Sequence, residues 1–183
     1  ANAPSISQGY KPEPKLRDPS TTINQKGMGV HDGIDILDES GTPVLAAADG
    51  VVESSSFGPL YGNQIVIAHG LNDDGLYYKT KYFHLQKRLV KEGDSVLRGQ
   101  KVGTLGMTGL LSAGFAHLHF EVRTMQRPEQ RLTQPVHPHK YWLDGPGLVT
   151  CFDKNREFPS TPFRTTYPVP CAGVRWKDWA RDQ

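Results

Sequence analysis

Turn signals recur at short intervals between Val30 and Arg123, and they limit what this chain can fold into more than any other feature of its sequence. Short apolar or alternating runs end in glycine-containing turns, as in NQIVIAHG, and no run of helix-forming residues exceeds a few turns. Closely spaced strands and turns are typical of antiparallel all-β domains. The composition agrees, because the 183 residues include 19 glycines and 14 prolines. We therefore predict an all-β fold with an antiparallel, barrel-sandwich-like core.

The sequence divides into three parts around this core. Residues 1–25 are polar and aperiodic and predict an N-terminal arm, whereas residues 26–124 form the predicted core. Residues 125–183 carry many prolines and predict a C-terminal extension that wraps the core. Only GVRWKDWARDQ at the end could make a short helix, with Trp176 and Trp179 on one side. A chain of this length suits one domain with a substantial core.

Two cysteines, Cys151 and Cys171, flank a proline-rich segment. In an exported protein we expect them to form a disulfide, which stabilises a loop of that size by about 3 kcal/mol in the chain-entropy interpretation. The alternative is a pair of buried thiols, as in a reducing compartment. The opening ANAPSISQGY contains no signal peptide, so it fits either a mature end after export or a truncated start.

Charge and hydropathy exclude two classes of partner. The formal net charge of +2 is small and the basic residues are scattered, which does not favour nucleic acid. No stretch approaches the roughly 18 apolar residues of a membrane helix. We therefore predict no nucleic-acid partner and no membrane span.

The histidines are the candidates for chemistry, and the segment FAHLHFE contains two of them. If this segment is a strand, His117, His119 and Glu121 share one face, with alternate residues about 6.5–7 Å apart. Two imidazoles so placed can converge on one small volume. Taken alone, the pair fits ordinary strand residues as well as a metal or catalytic site. The chain has seven histidines in all: His31, His69, His84, His117, His119, His137 and His139.

Two further segments supply the remaining residues of a possible zinc site. If HDGID is extended, His31, Gly33 and Asp35 share a face, and the glycine leaves space beside the two possible ligands. Imidazole nitrogen and carboxylate oxygen are common zinc ligands. His84 ends an aromatic-rich strand in KYFHLQ. Three ligands, an open position and nearby proton-transfer groups are what a catalytic zinc site needs.

The motifs together resemble those of the lysostaphin-type or LytM-type zinc metallopeptidases, which cut peptide cross-links in bacterial peptidoglycan. The resemblance covers residues 30–123 and rests on HDGID, GTPVLAAADGVV, YGNQIVIAHG, YFHL, GDSVLRGQKVG, GMTG and HLHFEV, in the order and spacing of the family. It implies a LytM-type fold for the core.

The resemblance also implies a division of labour among five residues. The zinc ligands would be His31, Asp35 and His119, holding one Zn²⁺ per chain. His84 and His117 would transfer protons and stabilise the developing oxyanion, and which of them is the general base stays open. We expect a monomer that acts on peptidoglycan in the periplasm or outside the cell.

The substrate bond and the activity itself have alternatives. Relatives cut either D-alanyl–diaminopimelate links or Gly–Gly bridges, and the expected disulfide favours the first, in a periplasm. Some proteins of this fold have lost their ligands and act as non-catalytic regulators of other wall hydrolases. The complete set of five groups favours an enzyme.

Three other histidines are interpreted as structural. His69 ends a strand at a turn. His137 and His139 form a second HxH pair, but Pro138 between them breaks strand pairing.

Side chains around the predicted site have two interpretations each. Glu121 could orient His119 or lie on the surface. Tyr61 and Tyr82 could line the cleft or pack as strand aromatics. The turn SAGFAH is one residue longer than is common in the family, which adds Phe115 near the site.

Overall fold

A computed structural model describes residues 3–11, 30–130 and 132–172 of the chain. The described part is almost entirely β, with two single-turn 3-10 helices at Leu110–Ser112 and Pro138–Lys140. The strands are β1 (Ile6–Gln8), β2 (Ile34–Leu37), β3 (Pro43–Leu45), β4 (Gly50–Gly58), β5 (Gly62–Leu71), β6 (Tyr77–Leu85), β7 (Lys87–Arg88), β8 (Ser95–Val96), β9 (Lys101–Thr104), β10 (His117–Met125) and β11 (Gln134–Val136).

These strands form two antiparallel sheets. The larger sheet has the order β1-β2-β10-β6-β5-β4-β8, with β11 paired to the end of β10. The smaller sheet has the order β3-β9-β7. One hydrophobic cluster contains residues of both sheets, such as Leu118 of β10 and Val102 of β9. The prediction of an antiparallel all-β fold is confirmed.

The two-residue period of β10 separates the core from the site. Leu118, Phe120 and Val122 are fully buried in the hydrophobic cluster. His117 and His119 alternate with them and therefore face the other side of the sheet. The apolar side chains on one face of β10 anchor the strand in the core. The histidine side chains on the other face lie at the candidate site.

The C-terminal extension contributes directly to the core. Trp142, Phe163 and Tyr167 are buried in the same cluster as the strand residues. Cys151 and Cys171 form a disulfide, as expected from the sequence, with their Cα atoms 5.4 Å apart. The extension therefore packs as part of the folded unit.

Some predictions from the sequence fall outside the described residues. The short helix with Trp176 and Trp179 is one of them, and residues 12–25 of the N-terminal arm are another. Residues 3–11 of that arm are described and contain β1, a strand that their aperiodic sequence did not predict. Within the described residues, no helix is long and apolar enough to cross a membrane.

Candidate metal centre and active site

Three side chains meet at the edge between β2 and β10: His31, Asp35 and His119. Asp35 Oδ1 lies 3.1 Å from His31 Nε2 and 2.8 Å from His119 Nδ1. The two imidazole nitrogens are 3.0 Å apart. All three donor atoms thus lie within 4.8 Å of one another, as a shared metal ion requires. Two imidazole nitrogens and one carboxylate oxygen are a set that suits zinc with an open position.

Strand pairing explains how residues distant in sequence come together here. The antiparallel register places His119 directly opposite Asp35. HDGID is extended only in part, because the chain bends at Asp32 and Gly33 and β2 begins at Ile34. The reason for the glycine also differs from the expectation: a Cβ on Gly33 would lie 2.3 Å from the carbonyl oxygen of Phe120. Gly33 therefore allows close approach of two backbones, rather than leaving space beside the ligands.

Each of the two imidazoles has an oxygen acceptor next to the ring nitrogen that faces away from the centre. His31 Nδ1 lies 2.8 Å from the carbonyl oxygen of Gly9, and His119 Nε2 lies 3.2 Å from Glu121 Oε1. A hydrogen bond at the outer nitrogen selects the tautomer whose inner nitrogen is free to bind a metal. Gly9 belongs to the N-terminal segment, which also pairs with His31 through the backbone of Lys11. Sequence reasoning missed Gly9, because a backbone carbonyl leaves no signal in residue type.

The charges at this centre are strongly coupled. Burial disfavours the ionised form of Asp35, but hydrogen bonds from His119 and His31 outweigh it and hold the pKa of this carboxyl well below its usual range. Burial also disfavours the charged form of His119, yet hydrogen bonds to Asp35 and Glu121 raise its pKa to about 9. Asp35 is therefore an anionic donor at neutral pH, and a metal cation at the centre would displace the His119 proton.

A buried ionic network lies behind His119. Glu121 is only 3% exposed, and its Oε2 accepts a hydrogen bond of 2.7 Å from Arg123 Nη1. The same nitrogen lies 3.1 Å from Asp32 Oδ2, and Arg123 Nε donates to Thr133 Oγ1 at 2.6 Å. These contacts favour the orienting role of Glu121 over a surface role. Sequence reasoning missed Arg123. The signal for it in the sequence was its position two residues after Glu121, which places both side chains on the same face of the strand.

His84 and His117 stand side by side next to the centre, with ring centroids 4.8 Å apart. The Nδ1 atom of His84 donates to the carbonyl of Thr108 at 2.9 Å, and that of His117 donates to the carbonyl of Phe115 at 3.0 Å. Both rings therefore present Nε2, and Nε2 of His117 lies 3.9 Å from Asp35 Oδ1. Burial lowers the pKa of His84 to about 4, so its ring is neutral at pH 7.

His84 reaches the site through an unusual backbone conformation. Its neighbour Phe83 pairs with His119 and faces the site, so regular alternation would turn His84 toward the core. Instead His84 has φ of 61°, and the pairing of β5 with β6 is irregular between Asn63 and Ile65. A left-handed conformation costs a non-glycine residue about 1–3 kcal/mol and is common at functional sites. Here it brings two consecutive residues of β6 to the same side.

The family model of Peptidase family M23 matches residues 29–132, which is more than half of the chain and contains all five predicted site residues. The chain belongs to peptidase family M23. The resemblance to lysostaphin-type and LytM-type peptidases, predicted from the motifs, is confirmed.

Curated relatives of this M23 chain include both enzymes and activators. Peptidoglycan DD-endopeptidase ShyC of Vibrio cholerae is 48% identical over 91 residues, which are 50% of this chain and 19% of ShyC. Murein hydrolase activator NlpD of Escherichia coli is 43% identical over 96 residues, 52% of this chain and 23% of NlpD. The chain spans less than a quarter of the length of either relative.

Solved M23 structures share the fold. A zinc-containing peptidase from Vibrio cholerae is 37% identical with a TM-score of 0.54, over 72% of this chain and 36% of that one. The catalytic domain of the antimicrobial peptidase lysostaphin from Staphylococcus simulans is 31% identical with a TM-score of 0.53, over 72% of this chain and 88% of that one.

Aromatic residues surround the M23 site on one side. Tyr61 stacks on Phe83 with centroids 4.5 Å apart, and Phe83 stacks in turn on His119. The ring of Phe115 is 70% exposed, while its carbonyl holds His117. Tyr82 is fully buried and its hydroxyl accepts a hydrogen bond from the Ala47 amide, so it belongs to the core rather than the cleft.

The remaining described histidines have structural partners, in line with the sequence interpretation. His69 contacts the carbonyl oxygen of Asp49 at 2.6 Å and Thr80 Oγ1 at 2.8 Å. His139 accepts a hydrogen bond from the Trp142 indole, and His137 accepts one from the His139 amide.

Proposed function

We propose that this chain is a zinc-dependent endopeptidase that hydrolyses D-alanyl–diaminopimelate cross-links of bacterial peptidoglycan. The observation that carries the proposal is the convergence of His31, Asp35 and His119, whose three donor atoms lie within 4.8 Å of one another. The similarity to a peptidoglycan DD-endopeptidase supports the substrate and the bond. The disulfide supports an exported protein, acting in the periplasm or outside the cell.

His31, Asp35 and His119 would hold the zinc ion. Their donor set matches that of catalytic zinc sites with three protein ligands, and the outer hydrogen bonds that the two imidazoles donate to Gly9 and Glu121 suit metal binding. When bound, zinc lowers the pKa of a water molecule toward about 7 and polarises the scissile carbonyl.

His84 and His117 would handle protons and the carbonyl oxygen. Each ring is anchored at Nδ1 by a backbone carbonyl, so proton transfer is assigned to Nε2. The two imidazoles can take the proton of the attacking water, return it to the leaving nitrogen and donate hydrogen bonds to the oxyanion. Their anchoring reduces the reorganisation needed during the reaction, because backbone carbonyls hold both rings in place and Nε2 of His117 already lies 3.9 Å from Asp35 Oδ1.

A second candidate is a non-catalytic activator of other wall hydrolases, which the similarity to murein hydrolase activator NlpD favours. The discriminating feature is the complete set of metal-binding and proton-transfer side chains, which an activator does not need. A third reading, cleavage of Gly–Gly bridges, leaves the same centre in place and changes only the substrate.

Digestion of purified muropeptide dimers tests the enzyme and its bond. We expect cleavage of D-alanyl–diaminopimelate dimers, loss of cleavage after treatment with a chelator, and recovery when Zn²⁺ is added back, with products identified by mass. Gly–Gly-bridged dimers serve as the comparison substrate and should remain intact. Absence of chelator-sensitive cleavage of any cross-linked dimer would refute the enzyme and leave the activator as the better candidate.

The buried acid behind His119 gives a prediction about metal affinity. Glu121→Gln removes the charge that Glu121 shares with His119 and Arg123, at nearly constant size. We expect zinc affinity to fall about 10- to 100-fold, measured by competition with a chromogenic chelator. Glu53→Gln, on the same sheet face but paired with Lys79, is the matched control and should leave the affinity unchanged. Equal affinities of Glu121→Gln and the unmodified chain would contradict the orienting role.

A further inference from the structure

Lys81 lies on the same face of the large sheet as the candidate metal centre. On β6 it precedes Phe83, the cross-strand neighbour of His119, by two residues. It is the cross-strand partner of Glu121, just as Phe83 is the partner of His119. Its Nζ atom lies 5.8 Å from the centroid of the Phe83 ring, which stacks on His119. Lys81 is therefore a cation beside the centre that the proposed mechanism leaves unused.

The ammonium group of Lys81 has no hydrogen-bond acceptor within the described part of the chain. The nearest carboxylate oxygen is Glu121 Oε2 at 3.9 Å, which is beyond hydrogen-bond range. That oxygen already accepts from Arg123, and the other oxygen contacts His119. Glu121 is thus occupied by two other groups.

Lys81 is also partly removed from water. Its side chain is 25% exposed, and burial lowers its pKa despite the nearby charge of Glu121. A half-buried cation with unused donors is unfavourable until an anion completes it. The Lys81 ammonium therefore has donors available to a small anion at this position.

Lys79 is a lysine on the same face whose ammonium group is paired with a carboxylate. It lies two residues earlier on β6, and its Nζ contacts both carboxylate oxygens of Glu53, at 2.8 and 2.6 Å. The contrast leaves Lys81 as the lysine that is available to a ligand.

A cleft provides the room for such a ligand. It has a volume of about 420 Å³, and its lining includes Lys81, Lys79, Glu53 and Val66. Glu53 is paired with Lys79, and Glu129, which also lines the cleft, is exposed and screened by water. Lys81 therefore lies both at this cleft and beside Phe83, the ring that stacks on His119.

The two candidate bonds differ in one group beside the scissile nitrogen. In a D-alanyl–diaminopimelate link, the carbon that bears the scissile nitrogen also carries a charged carboxylate, whereas the corresponding carbon of a Gly–Gly bridge carries an uncharged amide carbonyl. A carboxylate paired with an ammonium forms a charge-assisted hydrogen bond, which is stronger than a neutral one.

We propose that Lys81 binds the carboxylate next to the scissile nitrogen and so makes the enzyme specific for D-alanyl–diaminopimelate links. This inference rests on the proposed endopeptidase function and names the group that its substrate must carry. Lys81 is then a specificity-determining residue, separate from the metal ligands and from the two proton-transfer histidines.

The test compares two muropeptide dimers, one with a free diaminopimelate carboxylate beside the scissile bond and one in which that carboxylate is amidated. The unmodified chain is expected to prefer the free carboxylate in kcat/KM. Lys81→Met should lower kcat/KM for the free dimer by about 10- to 100-fold and remove the preference, since one charged hydrogen bond is lost. Lys81→Arg should retain the preference.

Two further measurements keep the result interpretable. The zinc content of Lys81→Met should equal that of the unmodified chain, which shows that the centre has folded. The metal-free protein should bind the cleavage product with the free carboxylate, by calorimetry, about 10-fold or more tightly than metal-free Lys81→Met does. Equal cleavage of both dimers by the unmodified chain, or equal losses on both in Lys81→Met, would overturn the role of Lys81 while the endopeptidase stands. Failure of the unmodified chain to cleave either dimer would overturn the proposed function and this inference with it.

Discussion

Zinc content well below one per chain, and peptide hydrolysis at background, are expected for His119→Ala. His119 Nδ1 lies 2.8 Å from Asp35 Oδ1 and 3.0 Å from His31 Nε2, so its removal leaves two of three donors. It also leaves the buried carboxylate of Glu121 without its imidazole partner. Metal analysis of the purified protein after dialysis against zinc-containing buffer measures the first effect, and dimer digestion measures the second.

His137→Ala is the matched control for this experiment. His137 belongs to the other HxH pair, where its ring accepts a hydrogen bond from the His139 amide. The control should retain one zinc per chain. Full zinc occupancy in His119→Ala would contradict the proposed ligand set, and loss of zinc in His137→Ala would point to the rival pair.

A rate loss of about 10²- to 10⁴-fold without loss of zinc is expected for His117→Ala. His117 stands beside the centre, with its Nε2 3.9 Å from Asp35 Oδ1. Its Nδ1 is anchored to the Phe115 carbonyl, so Nε2 is the atom at which we propose that the ring holds or moves a proton. Steady-state cleavage of the dimer and metal analysis of the same preparation provide the two readouts.

His84→Ala is the companion variant, because the two rings are 4.8 Å apart and are proposed to act on the same proton. We expect the double variant to be about as slow as the slower single variant, since groups that act as a unit are not additive. Zinc loss in His117→Ala would make it a ligand instead, and an unchanged rate would remove it from the mechanism.

The sequence predicted much of β10 and of its chemistry. Strict alternation in HLHFEV follows from the two-residue period of a strand, and the structure buries Leu118 and Phe120 while His117 and His119 face the site. The relation between His119 and Asp35 could not come from local pattern, because 84 residues separate them. The family motifs supplied it, and the antiparallel register of β2 and β10 now accounts for it.

Other parts of the site depended on backbone geometry that residue types do not encode. A regular β6 would send His84 into the core, and only its positive φ brings it beside His117. Gly33 was expected to leave space near the ligands, yet it allows the approach of the Phe120 backbone. Each case turns on a tertiary contact with a neighbouring strand.

By itself, the sequence determined the antiparallel β class, the apolar and polar faces of the strands and, through its motifs, the five residues proposed for chemistry. The β class and the strand faces follow from local periodicity and residue type, which act over a few residues, whereas the five residues come from the resemblance to the family. Only the tertiary structure decided that the Gly9 carbonyl holds His31, that Arg123 braces Glu121 and that, among the described residues, the Lys81 ammonium has no hydrogen-bond acceptor whereas that of Lys79 has one. Those properties arise from hydrogen bonds between segments far apart in the chain, and strand register and burial determine them.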